Sequence, residues 1–470
     1  MPRIGARALA DQLRWERTGP AYRELAAGLR LLIMDGRVGL DVTLPGEREL
    51  AAAAGVSRTT VAAAYRLLRD DGYLTVRRGA RPLTSVPGSH SRAVDMVLDG
   101  RSELLDLAYA TLEAPAELHH AYARALADLP QHLPGHGYHA QGVPDLRAVL
   151  AEQYTHRGLP TAPEELMITS GVQAALHLVF SRMRRPGARM LVENPTYPHA
   201  LDLVDRLGIR LVRAAVTECG WDREALRTGL TSRPDVAYLI PDFHAPTGQL
   251  MDAQTRGWTA RLLRRAGTLP VVDETMVELA LDEPAPEPFA VHHPGAVTVG
   301  STSKSFWGGL RIGWIRARRD VIDRLVAYRP ATDLGTPVLE QLATAHLIAS
   351  AATIARRRVA VLRSRRAVLL AQAAESLPTW RLTPGQGGLA VWAELPRPMS
   401  SALTAVAPQV GVRLAAGPRF GAGGTFESRL RLPFTLREPD LREAVRRLAA
   451  AQALLPHRPG RPTDQNPALA

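Results

Sequence analysis

Short apolar segments alternate with helical stretches over residues 104–455, and this alternation constrains the fold more than any other feature of the chain. Strands that are each followed by a helix assemble into a mostly parallel sheet, because the helix returns the chain to the edge from which the next strand starts. We therefore predict an α/β domain over residues 104–455. With 470 residues the chain exceeds one ordinary hydrophobic core, so more than one domain is expected.

Composition divides the rest of the chain into three parts. Residues 1–80 have helical periodicity and form the predicted N-terminal domain. Residues 81–103 are rich in Pro, Ser and Gly with scattered charge, which is typical of a linker. Residues 456–470 are rich in Pro, Arg and Gly, and this composition predicts a disordered tail.

The N-terminal domain has the pattern of three helices followed by a hairpin. The predicted elements are a helix over 20–35, a short helix over 47–54, a third helix that ends before Gly72, a strand over 73–76 and a basic turn over 77–79. Ser57 is placed to cap the third helix. The residues that face inward on that helix are Val61, Ala64, Tyr65 and Leu68. Three helices with a tight second turn and a basic hairpin describe a winged helix-turn-helix.

The first turn of the third helix has the side chains that DNA recognition requires. Arg58 can reach a guanine edge or a phosphate, while Thr59, Thr60 and free backbone N–H groups can bind phosphates. The alternative is a helical domain with a solvated basic face.

Several segments closely resemble the DNA-binding domain of GntR-type bacterial regulators. The segments that match are Leu44-Pro-Gly-Glu-Arg-Glu-Leu-Ala51, Gly55-Val-Ser-Arg-Thr-Thr-Val61, Ala64-Tyr65, Leu68 and Gly72-Tyr-Leu74. The resemblance implies that double-stranded DNA is a partner. The residues that it places at the DNA are Arg48, Ser57, Arg58, Thr59, Thr60, Arg78 and Gly79.

Lys304 is the only lysine in a chain whose lysines and arginines total 58. Arginine stays protonated and cannot form an imine, whereas a desolvated lysine amine can lose its proton and attack a carbonyl. The neighbouring hydroxyls and glycines, together with Arg311, are what a phosphate-bearing aldehyde cofactor needs. The alternative is a surface lysine retained by chance.

Charge and cysteine content exclude several classes of protein. The net charge of +12 is typical of a protein with an anionic partner. Cys219 is the single cysteine, which excludes an internal disulfide and a cysteine-rich metal site. The 14 histidines show no metal-ligand spacing, so no metal is predicted. Residues 1–19 lack the apolar core of a secretory signal, and no apolar run reaches the length of a membrane span, so we expect a cytoplasmic protein.

Other motifs of the α/β domain follow predicted strands. Ser170-Gly171-Val172-Gln173 opens a helix whose N–H groups can hold a phosphate, although an ordinary strand-to-helix turn has the same form. Tyr197 is presented from a proline-flanked loop and could stack on a flat ring or pack locally. Asp273 ends a buried strand, where a carboxylate needs a cationic partner such as a protonated ring nitrogen; the alternative is a cap of the next turn.

In this order, the motifs resemble those of the fold-type I, class I aminotransferases, which bind pyridoxal 5′-phosphate (PLP). The resemblance covers about residues 104–455. It implies that Lys304 forms the Schiff base, Asp273 holds the ring nitrogen protonated and Tyr197 stacks on the ring. It implies further that Tyr138 reaches the phosphate from a neighbouring subunit and that Arg431 binds the carboxylate of a substrate or effector. The residues implied at the phosphate are Ser170, Gly171, Val172, Gln173, Ser301, Ser303 and Arg311.

Three positions depart from the aminotransferase pattern. Ala245 stands where the family has asparagine, and Thr275 stands where it has a tyrosine after the ring-nitrogen acid. Both family residues hydrogen-bond the 3′-oxygen of PLP, so their loss disfavours efficient transamination more than it disfavours PLP binding. Val172 lacks a hydroxyl often found beside the phosphate, which leaves only its N–H as a donor.

A GntR-type domain joined to a class I aminotransferase-like domain resembles the MocR subfamily of bacterial regulators. The resemblance implies a homodimer, commonly head-to-tail, that binds an operator with paired half-sites. We predict a PLP-dependent transcription regulator that senses PLP or an amine or amino-acid effector. An active aminotransferase that carries a DNA-binding head is the alternative, and a dimerisation domain with a vestigial PLP site is a third.

Overall fold

The structure is a computed structural model that describes residues 3–13, 20–34, 38, 42–75, 81–85, 104–421 and 425–455. The chain forms two compact units. One comprises residues 1–105, 401–413 and 443–470, and the other comprises residues 106–400 and 414–442. The predicted boundaries at 80, 103 and 455 remain expectations, and the predicted tail lies outside the described residues.

The N-terminal elements follow the predicted helix-turn-helix pattern. They are α1 (Ala6–Ala10), α2 (Ala21–Met34), α3 (Glu47–Ala54), α4 (Arg58–Asp70), β1 (Leu74–Thr75) and β2 (Leu83–Thr84). Helix α3 ends at Gly55, whose φ of 65° is the left-handed conformation that glycine adopts without strain. The Ser57 hydroxyl accepts a hydrogen bond of 3.0 Å from the Thr60 N–H, so the predicted cap of α4 is confirmed.

The core of this region lies where α4 packs on α2 and α3. The four α4 residues predicted to face inward, Val61, Ala64, Tyr65 and Leu68, are all buried. Strands β1 and β2 pair antiparallel with Leu74 opposite Thr84. Strand β2 therefore occupies the first part of the stretch predicted as linker, while residues 76–80 and 86–103 lie outside the described residues.

Strands and helices alternate through the rest of the chain, as the apolar pattern predicts. The strands are β3 (Leu105–Leu107), β4 (Leu166–Thr169), β5 (Arg189–Asn194), β6 (Arg210–Thr217), β7 (Gly220–Trp221), β8 (Val236–Leu239), β9 (Leu269–Asp273), β10 (Val297–Ser301), β11 (Gly313–Arg316), β12 (Arg381–Thr383), β13 (Ala390–Glu394), β14 (Val412–Leu414) and β15 (Arg429–Pro433). The helices are α5 (Glu117–Asp128), α6 (Pro144–His156), α7 (Val172–Arg182), α8 (Pro198–Arg206), α9 (Arg223–Thr231), α10 (Ala253–Ala266), α11 (Phe289–His292), α12 (Thr302–Ser305), α13 (Arg319–Tyr328), α14 (Val338–Ile348), α15 (Ala351–Ser376), α16 (Ser400–Val406) and α17 (Glu438–Ala453).

The central sheet has eight strands in the order β4-β11-β10-β9-β8-β5-β6-β7. The strands from β10 to β6 are parallel, whereas β11 and β7 run antiparallel to their neighbours. The predicted mostly parallel sheet is thus confirmed. All four residues of β8 are buried, as expected for a strand that is covered on both faces.

Apolar side chains cover both faces of this sheet. Leu191, Leu239 and Val272 belong to the cluster with α6, α10 and α14, whereas Val192 and Val271 belong to the cluster with α7 and α8. Consecutive residues of a strand therefore point into different layers. The parallel strands end at one edge, where the polar motifs follow them.

No single helix among the described residues is long and apolar enough to cross a membrane; only α14 and α15 taken together, bent by 77°, pass by length and composition.

Candidate cofactor site

Lys304 lies on the four-residue helix α12, directly after the central strand β10. Its side chain is half-buried, and Nζ donates a hydrogen bond of 2.8 Å to the Ala110 carbonyl. Burial, reinforced by the positive charge of Arg431 and opposed by Asp273, lowers the pKa of Lys304 to about 8. About a tenth of the population therefore carries the neutral amine at pH 7, far more than for an ordinary lysine, and this is the form that attacks a carbonyl.

Asp273 is the last residue of β9 and is buried. Its Oδ2 accepts a hydrogen bond of 2.7 Å from the Tyr238 hydroxyl, and its Oδ1 accepts one of 2.9 Å from the Thr275 N–H. Burial raises the pKa of Asp273, although these hydrogen bonds oppose the rise. Within the described part of the chain, Asp273 forms no ion pair, so a protonated ring nitrogen fits as its partner.

The turn between β4 and α7 has the geometry of a phosphate site. Gly171 precedes α7 with a φ of 94°, and the first N–H groups of the helix, from Val172 and Gln173, have no intrahelical acceptor. Arg311 packs over this turn, where Nη2 donates a hydrogen bond of 3.0 Å to the Ser170 carbonyl. A φ of 94° favours glycine, and a Cβ at position 171 would lie 2.7 Å from that Nη2, so the guanidinium would have to move.

Hydroxyl groups approach the same turn from the neighbouring strands. Ser301 pairs with Gly313 in the sheet, and Gly313 pairs with Thr169 at the end of β4. The Ser301 and Ser303 hydroxyl oxygens lie 2.8 Å apart. The Gln173 side-chain amide donates a hydrogen bond of 3.3 Å to the His199 carbonyl, so Gln173 offers a phosphate its backbone N–H. Donors, a guanidinium and a helix N-terminus therefore converge, and this donor set fits the phosphate of PLP.

Tyr197 caps the start of α8 and is half-buried. Burial and the charge of Asp273 raise its pKa, while Arg311 and Arg431 act in the opposite direction. The hydroxyl thus lies within the field of three predicted site residues. Stacking of Tyr197 on the cofactor ring remains a prediction.

Arg431 lies on β15, and its guanidinium stands 4.9 Å from the centroid of the Phe420 ring. Nη2 donates a hydrogen bond to the Ala108 carbonyl, whereas Nε is buried without a partner in the described chain. Burial lowers the pKa of Arg431 to about 10. An incompletely paired cation of this kind suits a carboxylate ligand.

Tyr138 is not brought to the other site residues within one chain. Its side chain is 62% exposed, and its backbone N–H donates a hydrogen bond of 3.0 Å to the His136 ring. The predicted reach of Tyr138 into a neighbouring subunit remains a prediction.

The structure shows the surroundings of Ala245 and Thr275, the two residues that depart from the aminotransferase pattern at the 3′-oxygen. Ala245 packs against the apolar layer that contains Tyr238, and the Thr275 Oγ1 atom is buried without a hydrogen-bond partner among the described residues. Sequence reasoning missed Tyr238, although a tyrosine within an otherwise aliphatic buried strand was a usable signal.

The predicted DNA-contacting residues on α3 and at the start of α4 are exposed or half-buried. Arg48, Ser57, Arg58 and Thr59 are exposed, and Thr60 is half-buried. Arg58 Nε lies 3.2 Å from Glu47 Oε2, a surface ion pair that solvent screens. The remaining predicted contacts, Arg78 and Gly79, lie outside the described residues.

Known families match both parts of the chain. Residues 114–448 match the family "Aminotransferase class I and II", and residues 21–81 match "Bacterial regulatory proteins, gntR family". Over 321 residues the chain is 33% identical to a 2-aminoadipate transaminase of Thermus thermophilus, covering 66% of this chain and 80% of that protein. Over 390 residues it is 27% identical to the probable rhizopine catabolism regulatory protein MocR of Rhizobium meliloti, covering 77% and 78% of the two chains.

A solved structure shares the fold of the large domain. It is the α-aminoadipate aminotransferase LysN of Thermus thermophilus, complexed with N-(5′-phosphopyridoxyl)-L-leucine. The two agree with a TM-score of 0.68 and 31% identity over 75% of this chain and 94% of that one. The class I and II aminotransferase fold and these relatives are PLP-dependent, and PLP is the cofactor that the site residues fit.

We expect Gly171→Ala to raise the dissociation constant of PLP about tenfold or more, because the added Cβ strains the backbone and displaces Arg311. Equilibrium dialysis of PLP measures this effect. Gly187→Ala is the matched control, since Gly187 also has a positive φ, of 77°, but no atom within 4 Å of the added Cβ. Equal effects of the two substitutions would contradict the phosphate site.

The rate at which PLP attaches to Lys304 should rise about tenfold per pH unit below pH 8 and level off above it, because the neutral fraction of the amine sets that rate. Stopped-flow absorbance of the cofactor measures the rate, and Lys304→Ala gives the baseline. A midpoint near the ordinary lysine value of 10.5 would show that the amine is not desolvated.

Proposed function

Because the chain belongs to the class I and II aminotransferase family and joins that domain to a gntR-family domain, as MocR-type regulators do, we propose that it is a PLP-dependent transcription regulator. In this proposal the large domain binds PLP and an amine or amino-acid effector, and binding of the effector changes the affinity for operator DNA. Double-stranded DNA is the macromolecular partner, and the cytoplasm is the expected location.

A single observation carries the proposal: two cations of the site hold one short backbone segment. Lys304 Nζ donates to the Ala110 carbonyl, and Arg431 Nη2 donates to the Ala108 carbonyl. A neutral carbonyl is a weaker partner for a guanidinium than a carboxylate is. An amino-acid carboxylate therefore competes favourably with Ala108 for Arg431.

This competition is the proposed connection between ligand binding at the site and the DNA-binding domain. The segment that carries Ala108 and Ala110 begins a few residues after the predicted linker, 81–103, which leads from the DNA-binding domain. In this proposal, exchange of the Ala108 carbonyl for a ligand carboxylate on Arg431 changes how the segment that follows the linker in the sequence is held. When bound, PLP supplies the aldehyde and the electron-withdrawing ring through which an amine is recognised.

The departures at Ala245 and Thr275 favour a sensor over an enzyme. Neither residue supplies the side-chain donor to the 3′-oxygen of PLP that aminotransferases have at these positions. Thr275 carries its hydroxyl on a much shorter side chain than tyrosine does, so it does not replace the family phenol. Lys304 and Arg431 are enough to capture an amino acid, whereas repeated turnover also needs tuned proton transfer.

The regulator is proposed to act as a homodimer, which matches paired half-sites in the operator. Exposed apolar side chains support this assembly: Leu133 is 67% exposed, Tyr138 62% and Leu334 53%. The loops that carry them are adjacent, since a Cβ at Gly335 would lie 3.4 Å from the His139 carbonyl oxygen. A second copy that covers these loops would bury the patch.

We expect Arg58→Ala to weaken binding to a DNA fragment from beside the gene by about tenfold or more, because Arg58 lies in the first turn of the recognition helix. Fluorescence anisotropy at fixed salt measures the affinity. Arg66→Ala removes the same charge two turns later on the same helix and should change the affinity much less. Equal losses would indicate that α4 contributes only general positive charge.

In the full-length protein, amino acids added with PLP should shift DNA affinity, and the shift should vanish in Lys304→Ala. Arg431→Gln should abolish the difference between an amino acid and the amine that lacks its carboxylate, because that cation recognises the carboxylate. Arg429→Gln, two residues away on β15, is the control, since Arg429 pairs instead with Glu218.

The same samples are assayed for 2-oxo acid. Sustained 2-oxo acid formation without a change in DNA affinity would favour the aminotransferase alternative. DNA binding that is indifferent to PLP and to every amine would leave only the dimerisation role.

A further inference from the structure

Tyr238 lies in the middle of the sheet and makes a polar contact to Asp273. It belongs to β8, where it is fully buried, and its hydroxyl donates a hydrogen bond of 2.7 Å to Asp273 Oδ2. The ring is fixed on its other side by Phe180, whose centroid lies 5.9 Å away in an edge-to-face arrangement. Packing therefore holds the ring of Tyr238, and the hydrogen bond holds its hydroxyl.

The register of the sheet explains why this contact forms. Tyr238 is the Cα partner of Val271 on the neighbouring strand β9, and both residues lie in the apolar layer with α7 and α8. Asp273 follows Val271 by two positions, so its side chain points to the same face. Tyr238 thus reaches Asp273 along a diagonal between adjacent strands.

Thr275 is the other residue that stabilises the Asp273 carboxylate, since its side chain, like that of Tyr238, lowers the pKa of Asp273. Oδ1 accepts a hydrogen bond of 2.9 Å from the Thr275 backbone N–H, and Oδ2 accepts the one of 2.7 Å from the Tyr238 hydroxyl, so each oxygen has its own donor. Burial and the nearby Asp273 charge raise the pKa of Tyr238 well above its ordinary value, so its hydroxyl remains a donor throughout the working pH range. The side-chain stabilisation of this carboxylate comes from a neutral donor.

We propose that Tyr238 is a positioning residue of the PLP site: its hydroxyl fixes the Asp273 carboxylate and keeps it ionised, so that Asp273 can hold the cofactor ring nitrogen protonated. A buried carboxylate without this hydrogen bond is more readily protonated, and a neutral carboxyl no longer stabilises a pyridinium. The proposal rests on the PLP site and is independent of the proposed regulatory role.

Tyr238→Phe tests the proposal because it removes one oxygen atom and preserves the packed ring. We expect the dissociation constant of PLP, measured by equilibrium dialysis, to rise about tenfold or more, as for loss of a hydrogen bond to a charged group. The pH titration of the absorbance of bound PLP should differ from that of the wild type, because the ring nitrogen loses its proton more readily. Thermal unfolding monitors the fold of each variant.

Tyr154→Phe is the matched control. Tyr154 is also buried, but its hydroxyl accepts a hydrogen bond of 3.0 Å from Trp314 Nε1 and does not contact Asp273. This substitution should leave the PLP dissociation constant and the absorbance titration close to wild type. A comparable change in the control would assign the effect of Tyr238→Phe to general loosening of the core and overturn the proposal.

A double-mutant cycle with Asp273→Asn separates positioning from packing. If Tyr238 acts through Asp273, Tyr238→Phe should weaken PLP binding in the wild type and have little further effect in the Asp273→Asn background. Equal effects in both backgrounds would overturn the proposal. These assays contain no DNA, so their failure would leave the regulatory proposal untouched, and loss of the DNA response would leave this one untouched.

Discussion

The buried Asp273 carboxylate at the end of a central strand is the constraint on which the site depends. Two other buried acids at this edge are paired with arginine: Asp242 lies 2.6 Å from Arg256 Nη2, and Glu274 Oε2 lies 2.7 Å from Arg157 Nη1. Asp273 forms no ion pair within the described chain and receives hydrogen bonds from neutral donors only. Such an arrangement is costly unless a cation arrives from outside the chain, so the charge of Asp273 is itself part of the ligand site.

Close backbone packing fixes the predicted phosphate-binding turn against β11. A Cβ at Gly313 would lie 2.6 Å from the Gly171 carbonyl carbon, so β11 and the β4–α7 turn approach more closely than side chains permit. Arg311 adopts a φ of 53° beside them, which directs its guanidinium over the turn. Positioning of the anion site thus depends on two glycines and one left-handed arginine, and the positions of Ser301 and Lys304 follow from the same hairpin.

Features that depend on local pattern were predictable from the sequence. The Ser57 cap, the buried face of α4 and the placement of Asp273 at a strand end all follow from periodicity and capping chemistry, and the structure has them. Contacts between distant segments were not predictable. Arg431 and Ala108 are 323 positions apart, and the partner of Tyr238 depends on which strands are neighbours. Strand order is set by the packing of whole layers, for which a single sequence carries no local signal.

The residues that we predict to surround the cofactor fall into two groups, one for its ring nitrogen and one for its 3′-oxygen. Asp273, the predicted partner of the ring nitrogen, is hydrogen-bonded to Tyr238. On the 3′-oxygen side, Ala245 and Thr275 replace the donors that the aminotransferase pattern has. Capture of an amine requires an attachment point and a charged ring nitrogen, whereas repeated proton transfer also requires control of the 3′-oxygen side. A sensor needs the attachment point and the charged ring nitrogen but not control of the 3′-oxygen side. This combination agrees with an aminotransferase fold joined to a DNA-binding domain.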